Sequence, residues 1–273
     1  MSTINSSLRL AVTLVAVAAA TAVYGAVVLP DPTAQDLLEA YLGPGRAGHL
    51  LGTDALGRDI FSGIAASIAT AALVGLSVVL ISAIIGVTVG LVSGYRGGWL
   101  DAVLMRAVDL QLSIPPLLLF VSMVAVLGHS LPAMIALLCL PSWVPYARVV
   151  RGKVLADRQR PSVTAARLAG ATRLRVMTRH LLPASLPSVL VLGSLQLGWV
   201  LLWESALSFV NLGVQPPTAS FGQLIAAGRQ DLQSAWWVVV FPGLTLALLV
   251  LAANLLGDGL GKLLDVDARL IER

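Results

Sequence analysis

The chain is 273 residues long, 57% hydrophobic and only 12% charged, with a mean hydropathy of +0.88. Soluble domains carry roughly a quarter charged residues, so this composition excludes a soluble enzyme or nucleic-acid-binding domain and indicates a membrane protein. The net charge of +4 comes from 18 Lys and Arg against 14 Asp and Glu, and the cations are unevenly spread.

A membrane span needs about 20 mostly apolar residues to cross about 30 Å of hydrocarbon. Six segments qualify: 10–29, 66–93, 108–127, 131–147, 186–210 and 236–256. The first is preceded only by Arg9, and its uncharged run exceeds the roughly 7–15 residues of a signal h-region, so it is expected to stay as an anchor. In the second, Gly86, Gly90 and Gly94, with Ser82 one step back, repeat every four residues. One helix face is then nearly bare, which favours close helix crossing, within the chain or against a partner subunit during opening. Arg106 and Asp109, three apart at the inner end of the third span, are expected to pair on one helix face, as a plain ion pair or beside a gate.

The fourth segment is the shortest and weakest, carrying Pro132, Pro141, Pro145 and the single cysteine, Cys139, expected to be a small core residue. Glu204 lies near the outer part of the fifth. An acid there costs on the order of 2–3 kcal/mol unless it faces protein or a water-filled path, so it is expected to point inward, lining a pore or holding the outer loop. Asn254 and Asp258 in the sixth are expected to fix helix ends. These spans leave no room for a soluble domain, and 1–273 reads as one transmembrane domain.

Nine of the 18 cations fall between Arg148 and Arg179, with Asp157 as the only acid among them. Placing both termini on the side of this cluster gathers 15 of the 18, leaving Arg46, Arg58 and Arg229 outside. The positive-inside rule then makes both termini cytoplasmic. Within this loop, about 148–185, Ser162 is expected to cap a short helix over 163–169 on which Ala165, Ala166 and Ala169 form a small-side-chain surface beside Leu168. Gly170 stands where a left-handed C′ residue would end that helix. Thr172 is expected to cap a second helix to about 182, which Pro183 terminates.

The stretch TAARLAGATRLRVMTRHLLPASLP (164–187) resembles the EAA-type cytoplasmic loop of binding-protein-dependent ABC importer permeases. Ala165 and Ala166 match its alanines, Gly170 its glycine, and Leu181, Leu182 and Pro183 its close, while Thr164 replaces the expected glutamate. HLLGTDALGRDIFSG (49–63), GYRGGWLDAVLMRAVD (94–109), ESALSFVNLGVQPPTASFG (204–222) and NLLGDGLGKLLDVD (254–267) are similar to the C-type permease subunits of dipeptide, oligopeptide and nickel importers. Departures are Val210-Asn211 for Leu-Gly, Phe221 for tryptophan, and Val266 and Ala268 in the Asp-Pro-Arg ending. The resemblance implies an all-α polytopic membrane protein with the type I importer permease fold: six transmembrane helices and a cytoplasmic helix-turn-helix coupling loop. In that loop Thr164, Ala165, Ala166, Leu168 and Gly170 would meet an ATPase.

It further implies a bacterial plasma-membrane location among membrane lipids and a homologous second permease subunit. Two cytoplasmic ATP-binding subunits, or one fused chain, would hold ATP and Mg, and an extracytoplasmic binding protein would deliver short peptides or, alternatively, nickel. This chain itself is expected to need no cofactor and to be no enzyme. It has no His-Glu-x-x-His and no Gly-x-Ser-x-Gly, and LGDGLGKL (256–263) lacks the first glycine and final Ser or Thr of a Walker A loop. His49, His129 and His180 are scattered and suggest no metal site. A non-transporting assembly subunit is a weaker reading, because it gives no reason for a coupling turn or an inward acid.

Overall fold

The computed structural model describes residues 2–29 and 31–271, with side chains over 8–29 and 31–264. The side chains of Val266, Ala268 and Arg269, and all of Arg273, lie outside the described residues. Among the described residues ten α-helices follow one another: α1 (Ser2–Val28), α2 (Ile60–Arg96), α3 (Gly98–Ser113), α4 (Pro116–Leu127), α5 (Leu131–Asp157), α6 (Pro161–Leu168), α7 (Arg173–Val176), α8 (Leu182–Phe209), α9 (Phe221–Gly228) and α10 (Trp237–Ile271). Among the described residues there are no strands, only the isolated bridges Arg46–His49 and Thr53–Asp59. Among the described residues five helical segments are long and apolar enough to span a membrane, and α3 with α4, taken together as one bent segment, makes a sixth. Large apolar side chains crowd their outer surfaces, among them Val23, Leu80, Ile84 and Leu190, as hydrocarbon permits and water does not.

Two spans differ from their sequence-based expectation. The third is no straight helix: α3 and α4 meet at 91°. Ile114 and Pro115 each precede a proline, and both are extended, with ψ of 122° and 127°, because a following proline disfavours helical geometry. The fourth, expected to be short and weak, is the 27-residue α5, whose most apolar stretch is 50% buried against 6% for α1. Pro132 sits in its first turn, where no N–H is needed. Pro141 and Pro145 are carried inside the helix, and side chains bond carbonyls next to the freed ones: Ser142 donates to Leu138 O at 2.6 Å, and Gln196 donates to Ser142 O at 3.1 Å.

The glycine face of α2 is turned on α5 of the same chain. A Cβ on Gly90 would stand 2.6 Å from Ala147 O and 2.9 Å from Val150 Cβ, and one on Gly94 2.9 Å from Val154 Cβ; at Gly86 it would collide with Trp143 O and Tyr146. The two backbones therefore touch over three turns. Apolar clusters fill the rest. Val74, Val78, Phe120, Leu137, Leu138, Val200 and Leu207 join α2, α4, α5 and α8. Ile60, Ile64, Phe221, Ala235 and Val238 pack one end of α2 against α9 and α10, and Tyr95, Tyr146, Val150, Val154, Val163, Val176 and Leu181 pack the other.

Overpacking this crossing costs about 1–3 kcal/mol per site. Gly90→Leu should therefore lower the melting temperature and yield of the purified protein. Gly243→Ala, where an added Cβ meets nothing within 4 Å, should be neutral or slightly stabilising in the same thermal assay.

Candidate functional site

The basic loop folds into a short helix, a glycine turn and a second helix. Arg160, not Ser162, occupies the N-cap position of α6, with Pro161 as its first residue and no side-chain cap. Pro161 needs no N–H partner there, which makes a serine cap two residues later unnecessary. Gly170 has φ +80°. Its N–H reaches Arg167 O at 3.0 Å, and the Ala171 N–H reaches Ala166 O at 3.0 Å, the paired bonds of a Schellman turn. Thr172 Oγ1 then accepts from the Arg175 N–H at 3.3 Å and caps α7. Pro183 does not end this helix. A π-turn over Met177–Leu181, with Leu182 N–H bonded to Met177 O, leads straight into α8. Widening the turn shifts the hydrogen-bond register ahead of a residue that cannot donate.

This element is fixed on one side and bare on the other. Val163 and Val176 are 2% and 0% exposed, packed with Tyr95, Val150 and Val154, whereas Leu168 and Leu174 are 85% and 69% exposed. Thr164 and Ala165 share the open face, and Ala166 is half-buried. Arg167 lies 5.1 Å over the Tyr95 ring, with its Nε donating to the hydroxyl at 3.3 Å, so the tilt of α6 is tied to the end of α2.

Most of the cluster's cations have partners inside the chain. Arg151 makes a two-pronged pair with Asp101, at 2.6 and 2.7 Å, and Ser93 Oγ also bonds Asp101, which joins α2, α3 and α5. Lys153 and Arg160 flank the buried Asp157 at 3.6 and 2.9 Å, and Arg158 donates to Gly94 O at 3.2 Å. The expected Arg106–Asp109 pair does not form. Asp109 bonds Arg148 on α5 at 2.7 Å, and Arg106 is exposed, because packing α3 on α5 offers Asp109 a partner across the helices.

The pore candidates are not brought together. Glu204 sits near the far end of α8 and is 1% exposed; Ser208 Oγ donates to its Oε1 at 3.1 Å and Ser205 Oγ to its Oε2 at 3.2 Å. Ser208 is also the floor of the following loop: a Cβ on Gly213 or Gly222 would stand 2.8 Å from Ser208 Cβ. Asn211 has φ +61° and closes α8 as Gly170 closes α6, with Asn211 N–H to Ser208 O at 3.1 Å and Leu212 N–H to Leu207 O at 2.8 Å. Asparagine tolerates this left-handed geometry, so the departure from Leu-Gly keeps the turn.

At that same end, residues 31–59 form a cap over α2, α9 and α10. Trp237 Nε1 donates to Thr53 O at 3.2 Å. His49 bridges two carboxylates, its Nδ1 2.8 Å from Asp59 Oδ1 and its Nε2 3.0 Å from Glu39 Oε2, while Asp59 Oδ2 caps α2 by accepting from the Ser62 N–H at 2.7 Å. Sequence reasoning missed this bridge, the Asp101 lock and the Arg167–Tyr95 contact. The only signal for the first was a histidine and an aspartate within one Gly-punctuated segment.

Residues 86–269 match the family model of the binding-protein-dependent transport system inner membrane component. The chain belongs to that family. It is 42% identical to a di/tripeptide transport system permease protein of Pseudomonas aeruginosa, over 83% of this chain and 75% of the relative. It is 39% identical to a glutathione transport system permease protein of Pectobacterium atrosepticum, over 82% and 74%. With a nickel transport system permease protein of Escherichia coli it shares 40% identity over 95% and 94%. As an inner membrane component of this family, the chain is a permease with several membrane-crossing helices.

The His49 bridge should make the cap of this permease pH-sensitive. A neutral imidazole donates to one carboxylate and an imidazolium to both. Hydrogen bonds to Glu39 and then Asp59 raise the His49 pKa above its ordinary value, outweighing desolvation. A raised folded-state pKa gives stability fully present below about pH 6.5 and lost as pH rises through the raised value. Hydrogen exchange of residues 36–59, corrected for the intrinsic rate, should accelerate across that window, and His49→Gln should remove the pH dependence.

Proposed function

We propose that this chain forms half of the translocation pore of an ATP-binding cassette importer for short peptides. A homologous permease subunit forms the other half, two cytoplasmic ATP-binding subunits or one fused chain supply the drive, and an extracytoplasmic binding protein delivers the cargo. The observation that carries the reading is the α6–Gly170–α7 element, pinned to α2 and α5 by Val163 and Val176 while Leu168 projects away. On this reading Thr164, Ala165, Ala166 and Leu168 enter a groove on the ATPase, and Gly170 sets the angle. Motion of the ATPase then passes through Tyr95 and Val150 into α2 and α5, and through the π-turn into α8. ATP and Mg stay on the partner subunits, and this chain does no hydrolysis.

Peptide cargo rests on the likeness to peptide permeases, and the nickel permease keeps a metal-ion cargo as the second reading. Both termini are cytoplasmic on this reading, because the cation-rich end holds the coupling element. A cysteine at Ala171 in a Cys139→Ala background should be labelled only after permeabilisation, and one at Thr218 from outside. The ligand co-purifying with the binding protein, identified by mass spectrometry, decides the cargo.

The coupling role is tested at Gly170. An added Cβ there has nothing within 4 Å, so any effect comes through the backbone. Valine at φ +80° is strained by roughly 1–2 kcal/mol, whereas asparagine accepts that geometry, as Asn211 does. Gly170→Val should insert normally but lose uptake into vesicles, with the ATPases either absent from the purified complex or hydrolysing without transport. Gly170→Asn should transport, and Thr164→Glu should dock at least as well. Unmodified transport by Gly170→Val would refute the coupling assignment.

A further inference from the structure

Two of the three cations at the cap end, Arg58 and Arg229, line one open groove of about 440 Å³, together with Asn211, Gln215, Gln223 and Gln230. No acid lines it. Among the described residues neither arginine forms an ion pair, and Arg58 Nε is buried without a hydrogen-bond partner. The acids nearest Arg58 in sequence are committed elsewhere. Asp54 Oδ1 accepts from the Leu56 and Arg58 N–H groups at 2.8 and 2.9 Å, and Asp59 is taken by Ser62 and His49. The groove walls are fixed. Arg229 closes α9, Gln223 is held by Val214 O, and Gln215 Nε2 donates to Asn211 O at 3.3 Å.

Two guanidinium groups without an ion pair in one concavity repel each other, and Arg58 Nε has no acceptor, an arrangement that an anion relieves. Guanidinium matches carboxylate in a planar fork, and the four neighbouring amides offer the donors and acceptors that peptide groups need. The volume falls within the roughly 300–1,000 Å³ of small-molecule sites. We infer that the groove is a receiving site for the carboxylate end of the peptide cargo, held by Arg58 and Arg229 as the cargo enters at the cap end. This rests on the peptide-import reading. The same pair disfavours a bare divalent cation.

The test uses the assembled complex with a single reporter cysteine (Gln230→Cys, Cys139→Ala). Without binding protein, millimolar Ala-Ala should protect that cysteine from a soluble maleimide, and Ala-Ala amide should not. Replacing both arginines (Arg58→Gln with Arg229→Gln) should raise the protecting concentration by about tenfold or more, the loss of one charge-assisted pair. Arg58→Lys with Arg229→Lys should recover part of it. In vesicles with binding protein, the double Gln variant should take up less peptide, while the binding-protein concentration giving half-maximal ATP hydrolysis stays unchanged. Equal protection by both peptides, or protection indifferent to the arginines, overturns the site. A rise in that half-maximal concentration with peptide protection unchanged also overturns it, because the arginines then dock the binding protein. If protection behaves as expected but the unmodified complex imports no dipeptide, the peptide-import reading falls and the carboxylate site stands. Normal dipeptide uptake by the double Gln variant, with no protection in either form, leaves the import reading intact and removes the site.

Discussion

Gly86, Gly90 and Gly94 let the backbone of α2 lie directly on the backbone of α5, and the architecture of the end that carries the basic loop follows from that approach. With no side chain between them, Tyr146, Val150 and Val154 reach past the α2 surface and meet Tyr95 and Leu91. The pocket so formed accepts Val163 and Val176 from the loop. A wider crossing would leave those two valines without a floor, and a 4-residue α7 has no means of holding its own conformation in water. The α6–Gly170–α7 element is therefore rigid through tertiary packing, although its turns and caps are written locally.

Charge is spent in the same place, chiefly on joining helices. The Arg151–Asp101 pair and the Arg158–Gly94 carbonyl bond lie beside the crossing, and the Asp157 pairs lie at the end of α5. The Arg148–Asp109 pair is half-exposed on both sides and contributes little by itself. Arg173, Arg175 and Arg179 remain on the exposed surface, suited to anionic headgroups. A run of cations that reads as a topology signal is thus in large part the internal wiring of three helices.

The sequence made the local features readable and hid the long-range ones. Six apolar segments, a glycine turn at 170 and a threonine cap at 172 depend on residues within a few positions of one another, and each has its structural counterpart. The prolines mislead because the same residue type has opposite outcomes. The Pro115-Pro116 doublet sets two successive residues extended and bends the third span, while Pro141 and Pro145 are absorbed in a helix half buried in the bundle. Only the neighbours distinguish the two cases, and neighbours are not written in the local sequence. Asp109 pairing with Arg148, 39 residues away, fails to be foreseen for the same reason, since an i,i+3 partner was available on paper.

The two ends resolve the same problem, what to do with an arginine, in opposite ways. At the end that carries the basic loop, acids, carbonyls and an aromatic ring occupy most of the guanidinium groups of the 148–179 cluster, and what is left bare on α6 is Leu168, a surface for shape and apolar contact. At the cap end Asp54 and Asp59 are engaged by backbone N–H groups and His49, and among the described residues Arg58 and Arg229 form no ion pair. An apolar surface on a rigid turn transmits force without selecting among charged solutes, and an unpaired arginine pair selects charge without needing to transmit force. On the proposed reading, coupling and cargo contact are thereby kept at separate ends of the same helices. Packing between α2, α5 and α8 is the physical link from one to the other.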